Sequence, residues 1–438
     1  MAEKMKPSGI DWIGDIPNNW ETSRIKYHYQ ISLGKMLQPI QENSTDTLEH
    51  YMCSANITWA GVDTSILKQM WFSPAEKKQY RLLDGDLLVS EGGDVAVSCI
   101  WRNELDECYL QNAVHRVRQN ALSDNRFIYY WLFFLKNYGI VDLVCNKATI
   151  AHFTKEKFGE LPICIMSIDE QVAIADFLDK ECAQIDSIAA DLEKQIALLQ
   201  QYKKSLITET VTKGLDKSVP MKDSGIEWIG EIPEHWAISR VRHLASLCSG
   251  ATPSKDVLSY WEGNIPWVSS QEVKSDIIKD TSLHISEEAI NSCSTQLMPA
   301  GTLVMVVRSG ILQHTIPVAL LGVSATINQD IKAFQFNHLM LPAYFKYYIQ
   351  GENDALLSVI IKDKTTVESV DNQLLLSLKI MVPPIEEQKA IVAFLNYKCG
   401  YIDKILNDKQ EQLNLLMQHK KSLIYEYVTG KKRVKEVQ

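Results

Sequence analysis

The side chains best suited to chemistry in this chain are two pairs of adjacent amides. Gln111-Asn112 and Asn328-Gln329 stand at matching places in the two halves of the sequence. A planar side-chain amide presents a donor and an acceptor side by side, the pattern that hydrogen-bonds adenine bidentately. These residues are therefore candidates for contacting a nucleobase edge. The alternative is that they satisfy buried backbone groups.

Polar residues beside glycines form a second group of candidates. The stretch Leu82 to Val89 predicts an Asp-Gly turn followed by a buried strand, and Leu297 to Val307 matches it. Glycine after a strand lets the backbone approach a ligand closely, although a tight turn would need it equally. The candidate ligand contacts are Gly92, Gly93, Asp94, Arg308 and Ser309.

A third candidate strip occurs in each half of the sequence. It comprises Lys147, Thr149 and His152 in the first half, and Lys364, Thr365 and Thr366 in the second.

Motifs for catalysis are missing from the sequence. It contains no G-x-x-x-x-G-K-[ST] phosphate loop, no Asn/Asp-Pro-Pro-Tyr/Phe methyltransferase sequence, and no H-E-x-x-H or G-x-S-x-G. Nine cysteines without a C-x-x-C pair argue against both a disulfide framework and a zinc cluster. We therefore expect a non-enzymatic chain without cofactor or metal. Cys182 and Cys399, at equivalent positions, are expected to be small buried hydrophobes.

A duplication of about 217 residues organises the whole chain. The segment 5–20, MKPSGIDWIGDIPNNW, returns at 221–236 as MKDSGIEWIGEIPEHW, with eleven identities at an offset of 216. We call these two segments the straps. Between the matched blocks, from about 35 to 160 and from 250 to 380, the copies differ. We call these two stretches the variable regions. This contrast indicates that the matched segments meet one partner twice, whereas the unmatched segments meet two different ligands. The strap residues are alternatively core; the partner-binding candidates are Trp12, Ile13, Trp20, Trp228, Ile229 and Trp236.

Two long helices are predicted after the variable regions. In the first, Leu178, Ile185, Leu192, Leu199 and Leu206 are seven residues apart, after a capping box at Ser167 to Glu170 and before Gly214. The second keeps this spacing with Leu395, Ile402, Leu416 and Leu423, is interrupted by Lys409, and ends at Gly430. Each helix should have about 45 residues and be about 68 Å long. Antiparallel pairing would bury both apolar seams. The aromatic stretches Phe127 to Leu135 and Tyr344 to Ile349 also predict helices, more often core than a base-stacking platform.

Composition and charge narrow the function further. The composition is that of a globular protein, and no signal peptide or long apolar run is present, so we expect a cytoplasmic location without membrane contact. The net charge is −9, and only the segment 381–438 carries an excess of basic residues. Because phosphate neutralisation contributes much of the affinity for nucleic acid, charge alone disfavours such a ligand.

Taken together, these motifs resemble the specificity subunit of type I restriction-modification systems. The resemblance rests on the straps, the P-x-x-E-Q-x-x-I-x-x-F-L pattern at 384–395, both K-K-S-L-I segments, and the opening of the second variable region at 249–268. Ser167 departs from the pattern, since Pro384 stands at that place in the second copy. From that opening, Thr252, Ser254 and Lys255 join the DNA-binding candidates.

The resemblance implies an α+β fold with two target recognition domains and two long antiparallel coiled-coil helices, related by a pseudo-two-fold repeat. The expected segments are 1–160, 161–220, 221–380 and 381–438. It also implies a non-catalytic chain that recognises a split double-stranded DNA site and binds two modification (methyltransferase) subunits, and through the complex the restriction subunits. Two alternatives stay open: a non-DNA scaffold with two protein-binding domains, and a self-contained DNA-modifying enzyme.

Overall fold

A computed structural model of the protein describes residues 4–145, 152–293, 295–361 and 367–434. The chain forms two compact units. Unit 1 comprises Met1–Glu193 with Glu411–Gln438, and unit 2 comprises Lys194–Gln410. Each unit therefore combines one strap, one variable region and parts of both predicted long helices, a grouping that the linear segment boundaries do not convey.

Unit 1 contains short strands and helices followed by a long helix. The strands are β1 (Met5–Pro7), β2 (Asp15–Pro17), β3 (Glu21–Arg24), β4 (Tyr29–Leu33), β5 (Thr47–Met52), β6 (Ile57–Thr58), β7 (Gly61–Val62), β8 (Lys68–Phe72), β9 (Leu87–Ser90), β10 (Ser98–Ile100), β11 (Tyr109–Leu110), β12 (Val114–Gln119) and β13 (Pro162–Ile165). The helices are α1 (Pro74–Tyr80), α2 (Asn125–Asn137), α3 (Ile140–Val144), α4 (Lys155–Glu160) and α5 (Ile168–Lys213), the last continuing into unit 2. The main sheet has the antiparallel order β10-β9-β12-β4, and a second sheet has the order β11-β5-β8.

Unit 2 repeats this plan with different details. Its strands are β14 (Met221–Asp223), β15 (Glu231–Pro233), β16 (Ala237–Arg240), β17 (Ala245–Ser249), β18 (Ile265–Val268), β19 (Ile277–Ile278), β20 (His284–Ile285), β21 (Leu303–Val306), β22 (Val318–Leu321), β23 (Thr326–Ile327), β24 (Ile331–Phe336) and β25 (Lys379–Val382). Its helices are α6 (Glu287–Ser292), α7 (Pro342–Gly351), α8 (Asn353–Ile360), α9 (Asn372–Ser377) and α10 (Ile385–Val428), whose end belongs to unit 1. The main sheet has the order β17-β24-β21-β22-β19.

The cores form where the sequence predicts apolar strands and aromatic helices. All four residues of β9 and of β21 are buried, after turns in which Gly85 and Gly301 adopt φ values of +82° and +85°. Helix α2 buries its aromatic face within the unit 1 core, and α7 does so in unit 2. The core interpretation of these aromatic stretches is thus confirmed.

The two long helices have the predicted extents, 46 residues for α5 and 44 for α10. The Oγ of Ser167 accepts a hydrogen bond from the backbone N–H of Glu170 at 3.3 Å, as a capping residue should. The Glu170 side chain does not complete the predicted capping box; it pairs with Arg433 at 2.6 Å. Gly214 and Gly430 follow the helix ends with φ of +72° and +70°, the left-handed conformation typical of helix termination.

Other sequence expectations concern cysteines and membranes. Cys182 and Cys399 are buried within the two unit cores, as expected, and burial raises the pKa of both thiols. Among the described residues, no helix is both long and apolar enough to cross a membrane, and no group of three or more potential metal ligands occurs.

Candidate nucleic-acid interface

In unit 1, the amide pair Gln111-Asn112 forms the connection between β11 and β12. The end of β4 passes this connection so closely that a Cβ on Gly34 would lie 2.4 Å from the backbone carbonyl of Gln111. Backbone hydrogen bonds on both sides fix the crossing, from Lys35 N–H to the Leu110 carbonyl at 2.9 Å and from Asn112 N–H to the Lys35 carbonyl at 2.8 Å. Only glycine fits at position 34 of this crossing.

Unit 2 contains the same crossing at the matching position. Asn328-Gln329 connects β23 to β24, and β17 ends beside it at Gly250. A Cβ on Gly250 would lie 1.7 Å from the Ile327 carbonyl oxygen. The two units therefore present their amide pairs on equivalent backbone crossings, although the surrounding sequences differ.

The four amide side chains are not equally available for a ligand. Gln111 accepts from the backbone N–H of Ala113 at 3.1 Å and donates to Asn112. Asn328 is buried, and its Oδ1 accepts from the backbone N–H of Asp330 at 3.1 Å. For Asn328 the structure favours the structural alternative over a base contact, because its buried amide holds its own turn.

Gln329 remains the accessible amide of unit 2. Its side chain is exposed, and its Oε1 accepts a hydrogen bond from the Thr252 hydroxyl at 2.6 Å. Thr252 lies in a loop held by the indoles of Trp267 and Trp261, which donate to the carbonyls of Ala251 (3.1 Å) and Ser254 (3.0 Å). The structure thus joins two predicted site residues, Thr252 and Gln329, while Ser254 and Lys255 are exposed on the same loop.

In unit 1, the post-strand segment lies next to His152 of the third candidate strip. The backbone N–H of Phe153 donates to the Glu91 carbonyl at 2.9 Å, which places His152 beside Gly92 and Gly93. In unit 2, the N–H of Val370 donates to the Val307 carbonyl at 2.8 Å, next to Arg308. Lys147, Thr149, Lys364, Thr365 and Thr366 lie outside the described residues.

The post-strand segments of the two units differ in charge and exposure. Burial raises the pKa of Glu91, and the nearby His152 partly offsets this. Asp94 is exposed and pairs with Lys136 at 2.7 Å, so its charge is compensated within the unit. Arg308 is exposed directly after β21, whereas the Ser309 hydroxyl accepts from the Ile311 N–H at 3.5 Å.

We call the two surfaces the polar edges. The unit 1 edge consists of Gly92, Gly93, Asp94, Gln111, Asn112 and His152; the unit 2 edge consists of Thr252, Ser254, Lys255, Arg308, Ser309 and Gln329. Each edge carries backbone and side-chain donors and acceptors at the ends of buried strands. Such groups can contact bases and phosphates but have no arrangement typical of bond-breaking chemistry.

The straps are largely core. Trp20 and Trp236 are fully enclosed, and Ile13 and Ile229 are also buried within their own units. This enclosure favours the core alternative for Ile13, Trp20 and Trp236, whereas Ile229 also lines a groove of unit 2. Trp12 is half-buried and Trp228 is 37% exposed, so these two remain candidates.

Close packing around the helix ends explains why the straps recur. A Cβ on Gly430 would lie 2.4 Å from the Cδ of Pro17 and 3.0 Å from the Trp20 ring. In unit 2, a Cβ on Gly214 would lie 3.1 Å from the Trp236 ring, and the Trp236 indole donates to Glu387 at 3.0 Å. The matched blocks therefore contact each other within each unit.

The sequence alone did not single out two buried glutamines that hydrogen-bond to backbone groups near the start of each long helix. Gln171 donates to the carbonyls of Leu122 and Met166, and its Oε1 accepts from the Asp124 N–H, each at 3.1 Å. Gln388 is fully buried and makes the equivalent bonds in unit 2. The signal was the Glu-Gln pair shared by both copies.

Comparison with known families identifies the repeated unit. A model of the type I restriction modification DNA specificity domain matches the chain twice, over residues 17–198 and 233–415. The chain belongs to this family. DNA recognition is therefore the role of this specificity subunit, and the alternative of a non-DNA scaffold is not favoured.

Individual relatives agree with the family match. The chain is 30% identical over 279 residues to the type I restriction enzyme EcoR124I/EcoR124II specificity subunit of Escherichia coli, a match that spans 62% of each protein. It is 23% identical over 440 residues to the MjaVIII specificity subunit of Methanocaldococcus jannaschii, covering 96% of this chain and 95% of the relative.

Solved structures share the fold of the whole chain. A chain from a structure describing complex assembly and conformational transition of the type I R-M system superposes with a TM-score of 0.71 at 15% identity, covering 95% of this specificity subunit and 99% of that chain. The HsdS subunit from Thermoanaerobacter tengcongensis gives a TM-score of 0.50 at 13% identity, covering 95% and 98%. These likenesses confirm a mixed helix and sheet fold with two domains.

Proposed function

We propose that the two polar edges read the two halves of a split, asymmetric double-stranded DNA site. The observation that carries this proposal is that equivalent backbone crossings, at Gly34 and Gly250, present different side chains. The same scaffold with different contacts is what recognition of two dissimilar half-sites requires. At the second position of each amide pair, unit 1 presents the half-buried Asn112 and unit 2 presents the exposed Gln329.

The two long helices act as the spacer between the half-sites in this proposal, paired antiparallel. Two ion pairs support the pairing, one within each unit: Lys420 Nζ lies 2.7 Å from Asp186 Oδ1 in unit 1, and Lys203 Nζ lies 2.6 Å from Asp403 Oδ1 in unit 2. They are the same pair made twice, because 403 − 186 and 420 − 203 both equal 217. Each helix supplies the lysine of one pair and the aspartate of the other. This exchange is expected when two equivalent helices run antiparallel.

Lys409, which interrupts the apolar seam, has a partner that fits this arrangement. Its Nζ donates to the Gln195 Oε1 at 2.5 Å within unit 2. The seam residues Ile196 and Leu199 are half-buried, as expected of a two-helix contact whose outer sides face solvent.

The partners in this proposal are two modification (methyltransferase) subunits and, through them, restriction subunits. The exposed residues Leu198 and Leu415 occupy equivalent positions on α5 and α10 and are 55% and 57% exposed. Exposed apolar residues that recur in both copies suit one partner binding twice, and the strap residues Trp12 and Trp228 are further candidates. The chain itself is non-catalytic and needs no cofactor, and its partners supply phosphate contacts that its net charge of −9 does not favour.

Substituting Arg308 or Gln329 by alanine tests the unit 2 edge. Each substitution should lower discrimination at one half-site by about 1–3 kcal/mol, roughly 5- to 150-fold, because a bidentate base contact is worth that much. The measurement is binding of the assembled methyltransferase to DNA libraries randomised in each half-site. Arg240→Ala, on β16 away from the edge, is the matched control and should leave both half-sites unchanged. Equal specificity combined with lower thermal stability would show that the two residues are structural.

A further inference from the structure

The junction between strap and long helix is built twice, but it is filled in only one of the two units. Equivalent hydrogen bonds fix the correspondence: Tyr130 donates to Asp179 at 2.7 Å in unit 1, and Tyr347 donates to Asn396 at 2.8 Å in unit 2. The offset is 217 residues for both partners. Residues of α2 and α7 can therefore be compared position by position.

In unit 1, aromatic side chains fill the junction. The ring of Trp12 lies 6.3 Å from Trp131 and 5.8 Å from Phe134, and Phe134 lies 5.4 Å from Tyr425 at the end of α10. The Trp131 indole donates to the Pro162 carbonyl at 2.9 Å. These rings leave Trp12 half-buried, and the indole N–H of Trp131 has a hydrogen-bond partner.

In unit 2, the corresponding residues leave a groove of about 610 Å³. Tyr348 replaces Trp131, Gly351 replaces Phe134, and Thr208 replaces Tyr425. The Thr208 hydroxyl donates to the Gly351 carbonyl at 2.8 Å, so the helices meet where the rings would stand. Trp228, the equivalent of Trp12, consequently lines the groove and stays 37% exposed.

The acidic side chain of Glu352 lines this groove without an ion pair of its own in the described part of the chain. Glu352 takes the place of the buried Leu135 and is only 6% exposed. Within the described residues its carboxylate has neither a hydrogen bond nor an ion pair, and the buried Tyr348 hydroxyl is also without a hydrogen-bond partner. A largely enclosed carboxylate is costly to charge, and a cation that pairs with it stabilises the charged form.

The two lysines that line the groove, Lys204 and Lys213, bind other groups. Lys204 pairs with Asp354 at 2.6 Å, and Lys213 donates to the Glu231 carbonyl. Glu209, on the same helix, pairs with Lys217. Burial raises the pKa of Glu352 to about 7, an effect that Lys204 and Lys213 reduce without reversing.

We infer that the unit 2 groove is a socket for one cationic side chain, arginine or lysine, of a modification subunit. The carboxylate of Glu352 would pair with the cation, and the exposed face of Trp228 would cover it. The identity of the partner rests on the proposed function, whereas binding of the cation does not. Unit 1 has no such socket in its described residues, because Leu135 and the aromatic rings occupy the corresponding space.

The first test measures the missing counter-charge in the isolated chain. A carboxyl whose folded pKa is raised destabilises the fold as pH rises from its ordinary value of 4.5 through about 7. Glu352→Gln should therefore raise the melting temperature at pH 8 and leave it nearly unchanged below pH 4.5. Glu209→Gln, an exposed residue of the same groove, is the control and should have no such pH-dependent effect. A destabilising Glu352→Gln at pH 8 would show that the carboxylate has a partner and would overturn the inference.

The second test measures cation binding directly. In protein labelled with 5-fluorotryptophan, the ¹⁹F resonance of Trp228, assigned with Trp228→Phe, should shift saturably with N-acetyl-arginine amide. The neutral isostere N-acetyl-citrulline amide should cause no saturable shift, and Glu352→Gln should abolish the arginine response. Equal responses to both compounds would contradict a charge-specific socket.

The third test identifies the source of the cation. Glu352→Gln should weaken binding of the modification subunit by about 30-fold or more, since a desolvated charge pair is lost, while Glu209→Gln should not. If the arginine compound binds but assembly with Glu352→Gln is normal, the cation comes from elsewhere and this inference is wrong. If the wild-type chain binds no modification subunit, the proposed function fails instead.

Discussion

Replacing Gln388 by leucine is expected to lower the free energy of unfolding of unit 2 by about 3–5 kcal/mol. The side chain is fully buried, and its Nε2 donates to the carbonyls of Leu339 and Pro383 while its Oε1 accepts from the Leu341 N–H, all at 2.8 Å. Leucine has a similar volume but leaves these three backbone groups unsatisfied. Each unsatisfied group costs about 1–3 kcal/mol, partly recovered by the apolar side chain.

Hydrogen exchange localises this effect better than global unfolding, because a chain with two units need not unfold in one transition. The amides of α7 and of the first turns of α10 should exchange faster in Gln388→Leu, with unit 1 unchanged. Gln171→Leu should produce the same effect in unit 1. Gln200→Leu, at an exposed position of α5, is the matched control. Wild-type exchange rates in α7 of Gln388→Leu would refute the role assigned to this glutamine.

Lengthening both long helices by one heptad is expected to lengthen the gap in the recognised DNA site. Seven residues inserted after Glu193 and after Gln410, where the unit boundaries cross α5 and α10, preserve the apolar seam. The insertion adds about 10 Å to each helix, which corresponds to about three base pairs at roughly 3.4 Å per pair. Both half-sites should be unchanged, because neither polar edge is altered.

Methylation mapping with the elongated chain measures this change. Inserting four residues at the same places is the control, because it displaces the seam and should abolish function instead of shifting the spacing. A functional seven-residue variant that still modified only the original spacing would disprove the spacer role of the helices, even though the family membership would stand.

Features that depend on local sequence could be predicted well. The heptad spacing and the terminal glycines define α5 and α10, and the Asp-Gly turn defines β9, because each signal lies within the element it forms. The amide pairs were also correctly matched between the copies. They recur because both units use the same close crossing at Gly34 and Gly250.

Features that depend on distant contacts could not be predicted in the same way. Thr252 and Gln329 are 77 residues apart, and they come within hydrogen-bonding distance because β17 pairs with β24 and Gly250 crosses close to Ile327. The burial of Trp20 and Trp236 likewise depends on helix ends supplied by the other repeat, Gly430 and Gly214. Recurrence of a segment therefore suggested a shared partner, although much of it reflects contacts within each unit.

The most direct test of DNA half-site recognition is methylation-sensitive sequencing of host DNA with this chain and its modification subunit expressed together. We predict one asymmetric motif in two parts with a fixed gap, absent when the chain is omitted. Exchange of residues 221–380 for the corresponding region of a relative should replace one half of the motif and leave the other half and the gap intact. A continuous motif, a motif that persists without the chain, or a change in both halves after the exchange would contradict recognition by two separate polar edges.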